Sequence, residues 1–414
     1  PNLLIRSQML YPLSYGRMAE MTGFEPADLV KGQLLSREPQ SATLAHLHSL
    51  VTHYPQPGSR TKTWARAGID SICMIRRDLD DIPAYVPGTS DPDALKLSSN
   101  EAPEGPLPSA VAAMEAAARG ANRYPDMAST ALRRALARHL GVEVENVTVG
   151  CGSSALCQQL VQATSTAQNN VIFPWRSFEA YPIFCQVVGA QPRPVPLLAN
   201  GKHDLESMLS LIDASTSLIF VCSPNNPSGQ VITRSEFTAF MDRVPDHVTV
   251  ALDEAYMEYN RDPEAVEGRT VFRDYPNLAC LRTFSKAYGL AGARVGYAFG
   301  TANLIQALDK MGIPFQVSAV AQAGAIASLE HSEELLARVE DTVDARDMVA
   351  DGIGALHSQA NFVWLPDVDA ADLARQLATR GILVRAFPEG LRVTVTNRED
   401  AEEFLSAWEA ISQP

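Results

Sequence analysis

The sequence predicts an α/β protein: one large, mostly parallel sheet of seven strands covered by helices, and a second, smaller α+β domain. Three observations carry this. From about residue 100, short β-rich runs alternate with segments of helical spacing, the pattern of a parallel sheet under a helical cover. After Ile313-Pro314 the texture changes to a long helical stretch and then a few short strands. At 414 residues the chain also has room for two or three compact units of about 150 residues each.

Residues 1–73 show neither a sustained 3.6 nor a 2.0 period, and turn formers interrupt each apolar run. They read as a disordered extension, or an upstream translated segment ahead of a start at Met74 in "MIRRDLDDIPAYVPG". His46, His48 and His53 in this segment have no carboxylate or thiol grouped with them, so a metal centre there is disfavoured. Expected strands are Asn146–Val149, Val171–Phe173, Pro194–Leu197, Leu218–Cys222, Val248–Leu252, Leu278–Arg282 and Val295–Phe299. Between them "SSALCQQLVQATS" and "SEFTAFMDRV" carry helical spacing, each with a serine where an N-cap belongs. A helix over 318–357, a strand in "NFVWLP", a helix over 369–380 and strands in "GILVRAF" and "LRVTVT" complete the chain. The expected division is an extension (1–73), an arm with part of the small domain (74–121), a large domain (122–312) and the C-terminal small domain (313–414).

A net charge of −14 and no evident basic face argue against a nucleic-acid partner and for small-molecule chemistry. The six cysteines form no C-x-x-C pair, so buried, reduced thiols are expected in place of a zinc site or a disulfide framework. No run of about 18 apolar residues could cross a bilayer and no secretion signal opens the chain, so a cytoplasmic protein is expected.

In open α/β sheets ligands sit beyond the carboxyl ends of the strands, so the loops there matter most. "VTVGCGSSALCQQL" sets a glycine turn before a helix, and the free amides around Gly152, Ser153 and Ser154 would face an anion. It lacks the nucleotide-hydrolase and dinucleotide fingerprints, and an ordinary turn explains the same residues. In "VCSPNNPSGQ" Asn226 can project an amide toward an oxyanion, or merely form a β-turn. "VALDEAYMEY" ends a strand on Asp253 with Tyr256 close behind, and a buried carboxylate there needs a cationic or proton-donating partner. "RTFSKAYGLAGARVGY" holds Lys286 between the small residues Ser285 and Ala287, after Thr283 and ahead of Arg294.

Together these are the parts that pyridoxal 5′-phosphate requires. Lys286 would join covalently to the cofactor aldehyde and later shuttle the substrate Cα proton. Asp253 would keep the ring nitrogen protonated. Arg294, Ser153, Ser154 and Ser285 would hold the phosphate, Asn226 and Tyr256 the phenolic oxygen, and Phe178 of "FPWRSFEAY" would stack on the ring.

Over roughly residues 74–414 the sequence resembles the fold-type I, class II aminotransferases, on "NRYPD", "CSPNNPSG", "LDEAYMEY", "RTFSKAYGLAGARVGY", "SQANFVWLP" and "LRVTV". Within that group it is similar to the branch of histidinol-phosphate and aromatic amino-acid (phenylalanine) aminotransferases, and "KLSSNEAPEGPLPS", "VGCGSSALCQQLVQ" and "WRSFEAYP" look most like the aromatic enzymes. The resemblance implies a homodimer in which Tyr124 reaches the phosphate held by the neighbouring subunit. It also implies that Arg392 grips the substrate α-carboxylate beside Asn361 and that Tyr85 helps close the pocket. Arg385 stands where histidinol-phosphate enzymes meet the substrate phosphate, yet only six residues separate it from Arg392, a shorter interval than many of those relatives carry. The expected activity is ping-pong transfer of an amino group from phenylalanine or tyrosine to a 2-oxo acid such as 2-oxoglutarate. Histidinol-phosphate transamination is the alternative. A nicotinamide oxidoreductase would need a glycine fingerprint this chain does not show.

Overall fold

The computed structural model describes residues 76–82 and 91–412. The expectations for residues 1–73, including the three histidines and Cys73, and for Tyr85 lie outside the described residues. Strand β1 (Leu95–Leu97) belongs to the smaller of two sheets. Strands β2 (Val147–Gly150), β3 (Asn170–Trp175), β4 (Gln191–Pro196), β5 (Thr216–Cys222), β6 (Thr249–Asp253), β7 (Leu278–Thr283) and β8 (Gly296–Gly300) form the larger, in the order β2-β8-β7-β6-β5-β3-β4. All seven expected strands are present, with ends that differ by at most three residues.

Why these segments become strands is visible in their burial. Every residue of β2, β5, β7 and β8 is buried, as a sheet covered on both faces demands. Alternate residues feed two separate cores: Ile219, Val221, Val250 and Leu252 pack on one face, while Leu218, Phe220 and Ala251 pack on the other. Burying each large apolar side chain contributes about 1.5–3 kcal/mol, so the alternation also sets the register.

Strands β3 to β7 run parallel; β8 pairs antiparallel with both β7 and β2. This single reversal has a consequence for function. It brings the start of β8 and the end of β2 to the same edge as the carboxyl ends of β3, β5, β6 and β7.

The smaller sheet adds β9 (Phe362–Pro366), β10 (Ile382–Phe387) and β11 (Gly390–Thr394) to β1 in the order β1-β10-β11-β9. Leu97, Val363, Leu365, Leu391 and Val393 form its core with Val349, Leu377 and Phe404 from the helices Ser332–Ile353, Ala370–Ala378 and Arg398–Ser412.

Three local expectations change. The helix expected over 318–357 is two, Ala319–Glu330 and Ser332–Ile353, because His331 leaves helical geometry (φ −120°, ψ 36°). The helix containing "SEFTAFMDRV" is capped by Thr233 in a reciprocal capping box with Glu236, and not by Ser235. Helix Ser153–Thr164 is capped by Gly152 and has no side-chain cap, so the expected serine cap is absent. Of the five described cysteines, Cys157, Cys185, Cys222 and Cys280 are buried as expected, whereas Cys151 is exposed.

Candidate active site

The reversal at β8 assembles an anion cradle. Arg294 precedes β8 and Ser153 follows β2, and Arg294 reaches Ser154 Oγ and Ser285 Oγ, each at 3.4 Å. Gly152 sits at φ +79°, and a Cβ there would lie 2.6 Å from Arg294 Nη2. A Cβ on Gly296 would meet the Ser153 amide nitrogen at 2.4 Å, so both positions require glycine. With no side chain capping the helix, its first amides and the positive end of its dipole face the guanidinium-lined space, which suits a phosphate.

Asp253 ends β6 on the same edge, buried and 4% exposed. Tyr181 donates its hydroxyl to Asp253 Oδ2 at 2.7 Å, and its ring stacks on Phe220 with centroids 4.2 Å apart. Asp253 Oδ1 is buried without a hydrogen-bond partner. Burial lifts the carboxyl pKa to about 6, against the opposing pull of the Tyr181 hydroxyl. A lone buried carboxylate oxygen is costly unless a proton donor meets it, and a protonated ring nitrogen is such a donor.

Lys286 follows β7 and lines the same cleft. Burial, reinforced by the positive charge of Arg392, draws its amine down to about 8. Its Nζ donates to the Ser99 carbonyl at 3.3 Å and stands 5.7 Å from the Tyr256 ring centre. Tyr256 accepts from Asn100 Nδ2 at 3.1 Å, and burial pushes its hydroxyl well above the usual phenol range.

The smaller sheet supplies the opposite wall. Strands β10 and β11 are joined by Pro388 and Glu389 alone, and Arg385 and Arg392 are direct cross-strand partners. This explains the short interval noted in the sequence: it is the length of a tight hairpin that sets two guanidinium groups on one face. Arg392 donates to Asn226 Oδ1 at 2.6 Å and to the Ser98 carbonyl at 2.7 Å. Arg385 donates to Glu179 Oε2 at 3.0 Å.

Twelve of the residues expected from the sequence therefore line one cleft: Ser153, Ser154, Phe178, Asn226, Asp253, Tyr256, Thr283, Ser285, Lys286, Arg294, Arg385 and Arg392. Gly152 lies beneath the cradle. Asn361 is fully buried beside β11 and not on the cleft wall, its backbone oxygen accepting from the Val395 amide at 2.8 Å. Tyr124 is 82% exposed and stacks on Phe315, away from the cleft of its own chain. Sequence reasoning missed Glu179, Tyr181 and the segment Ser98–Asn100 as cleft or support residues. Asn100, at φ 54°, ties Thr394 of β11 to Tyr256.

The donor set fits pyridoxal 5′-phosphate: an uncapped helix start with an arginine at one end, an orphaned carboxylate oxygen at the other, and an amine between. Among the described residues no group of three His, Cys, Asp or Glu side chains gathers to hold a metal ion.

The comparisons with known proteins agree with this arrangement. The family model "Aminotransferase class I and II" matches residues 92–407. The aromatic amino acid aminotransferase of Corynebacterium diphtheriae is 58% identical over 341 residues, covering 81% of this chain and 99% of that protein. The protein of the same name from Corynebacterium efficiens is 59% identical over 339 residues, covering 82% and 99%. Among solved structures, the histidinol-phosphate aminotransferase of Sinorhizobium meliloti in complex with pyridoxal-5′-phosphate superposes with a TM-score of 0.75 at 27% identity, covering 83% of this chain and all of that one. With the family model spanning most of the chain and relatives well above half identical, the protein belongs to the class I and II aminotransferases.

Proposed function

We propose that the protein is a pyridoxal 5′-phosphate-dependent aromatic amino acid aminotransferase, transferring the amino group of phenylalanine or tyrosine to a 2-oxo acid such as 2-oxoglutarate. The observation that carries the reading is the meeting of Lys286, Asp253 and Arg392 in one cleft above the Gly152–Ser154 cradle. The Corynebacterium relatives support the substrate class.

When bound, the cofactor supplies an aldehyde for amine capture and a ring that withdraws electrons from the substrate Cα. Arg294 and the amides of Ser153 and Ser154 would hold its phosphate, with Thr283 and Ser285 beside them. Asp253 Oδ1 would keep the ring nitrogen protonated. Asn226, its carbonyl engaged by Arg392, would offer its amide donors to the phenolic oxygen together with Tyr256, and Phe178 would stack on the ring. Arg392 orients the α-carboxylate, its plane fixed by Asn226 and Ser98. Lys286, with an amine near 8, changes protonation state readily near neutral pH, so it would hold and move the substrate Cα proton. One cleft serves donor and acceptor in turn, hence ping-pong kinetics.

The working form is a cytoplasmic homodimer. The exposed side chains of Tyr124, Met127, Ile313 and Phe315 lie on two segments that the Tyr124–Phe315 stack joins, and they support a covered face there. Among the described residues no helix is long and apolar enough to cross a membrane. Tyr124 then completes the partner's phosphate site, and Tyr85 shapes the substrate end.

Histidinol-phosphate transamination is the second reading, favoured by Arg385 on the cleft wall. Comparing kcat/KM for phenylalanine and histidinol phosphate decides: a preference for the phosphate ester overturns the proposal.

A further inference from the structure

Arg385 and Arg392 face the cleft side by side, and like charges directly opposite on a sheet repel. Their partners differ in kind. Arg392 donates to two neutral oxygens, from Asn226 and Ser98. Arg385 is held by a carboxylate, Glu179, at 3.0 Å. The same carboxylate stands 3.8 Å from Arg176, which is itself forked onto Glu389 at 2.9 and 2.8 Å. Two arginines and two glutamates thus neutralise each other along this wall.

A buried aromatic ring backs this wall. The guanidinium groups of Arg176, Arg385 and Arg392 lie 5.3, 5.5 and 5.5 Å from the centre of the Phe387 ring, and Phe178 borders Glu179. A guanidinium can stack on a ring while its edge stays ion-paired. Glu179 sits at the N-cap of helix Ala180–Val188, where the helix dipole favours its charge.

Building on the aminotransferase reading above, we propose that Glu179 determines side-chain specificity: it occupies Arg385, so a substrate ending in an anion must displace it while an aromatic side chain need not. The pair is partly open to solvent, at 17% and 30% side-chain exposure, so the preference is graded. A single carboxylate such as that of 2-oxoglutarate enters against the same competition.

The test uses the holoenzyme with Glu179→Gln, which keeps size and removes charge. We expect the ratio of kcat/KM for histidinol phosphate to that for phenylalanine to rise about tenfold or more. The change should fall on KM more than kcat, and the KM for 2-oxoglutarate should drop. Histidinol phosphate affinity, titrated through the cofactor absorption, should rise in parallel, and the whole gain should vanish in Glu179→Gln/Arg385→Gln. Arg385→Gln alone should move the ratio the opposite way, because Glu179 is then left to repel the anion; this variant decides if Glu179→Gln does not fold. A ratio within twofold of wild type in either single variant, or a gain that survives loss of Arg385, overturns the inference. A wild-type enzyme inactive on phenylalanine refutes the proposed function instead, and the histidinol phosphate titrations of the variants still read the role of Glu179.

Discussion

Replacing Asp253 with Asn should push the cofactor-free and cofactor-loaded proteins in opposite directions. Burial lifts the Asp253 carboxyl from an ordinary 3.8 to about 6. An acid whose native pKa lies above its unfolded value penalises folding only where it is charged. The penalty is absent below about 3.8, grows as pH rises toward about 6, and is complete above that. A shift of about two units, at 1.36 kcal/mol each, makes it about 3 kcal/mol. Asn keeps the shape and can still accept from Tyr181, so cofactor-free Asp253→Asn should melt several degrees above wild type at pH 8. The difference should shrink toward pH 4. With cofactor bound, the same charge partners a protonated ring nitrogen, and breaking a buried pair costs about 3–5 kcal/mol. Cofactor affinity should therefore fall by more than about a hundredfold. Calorimetry with and without pyridoxal 5′-phosphate reads both effects. A cofactor-free variant melting at or below wild type at pH 8, or an unaltered affinity, would refute the reasoning.

Other substitutions separate the remaining roles. Arg294→Gln should weaken pyridoxal 5′-phosphate binding by about 10–150-fold, the worth of a hydrogen bond to a charged group, and fluorescence titration would measure it. Because Lys286 titrates near 8 and not 10.5, its neutral fraction at pH 7 is about 300-fold that of an ordinary lysine. The rate of covalent capture of the cofactor by the cofactor-free protein should thus climb through pH 8 and level off above 9; a rise that continues to pH 10.5 contradicts the assignment. Arg392→Gln should raise KM for phenylalanine and for 2-oxoglutarate alike, since both present the same carboxylate, by about 10–150-fold. A change in only one of the two would show that Arg392 is not their common anchor.

How legible this was in the sequence depends on how local each signal is. The large-sheet strands were readable because a doubly covered strand is a short apolar run, and Leu218–Cys222 needs no knowledge of its neighbours. Lys286, Asp253 and Arg294 were readable as chemistry because they sit at the ends of such runs. The free amides opening helix Ser153–Thr164 were readable, but the serine there also looks like a cap until the backbone of Gly152 is seen at positive φ. Tyr181 and Glu179 escaped notice because their partners, Asp253 and Arg385, lie 72 and 206 positions away. Asn100 escaped for the same reason, bridging to Thr394 and Tyr256 from a short polar segment after β1. The spacing of Arg385 and Arg392 was visible but acquired its meaning only from the hairpin register.

The central claim is that one lysine amine carries the cofactor. Borohydride reduction of the purified holoenzyme, followed by proteolysis and mass spectrometry, tests it most directly. The account predicts a single reduced cofactor adduct on the peptide containing Lys286, absent from Lys286→Ala; an adduct on any other lysine, or none at all, would contradict it.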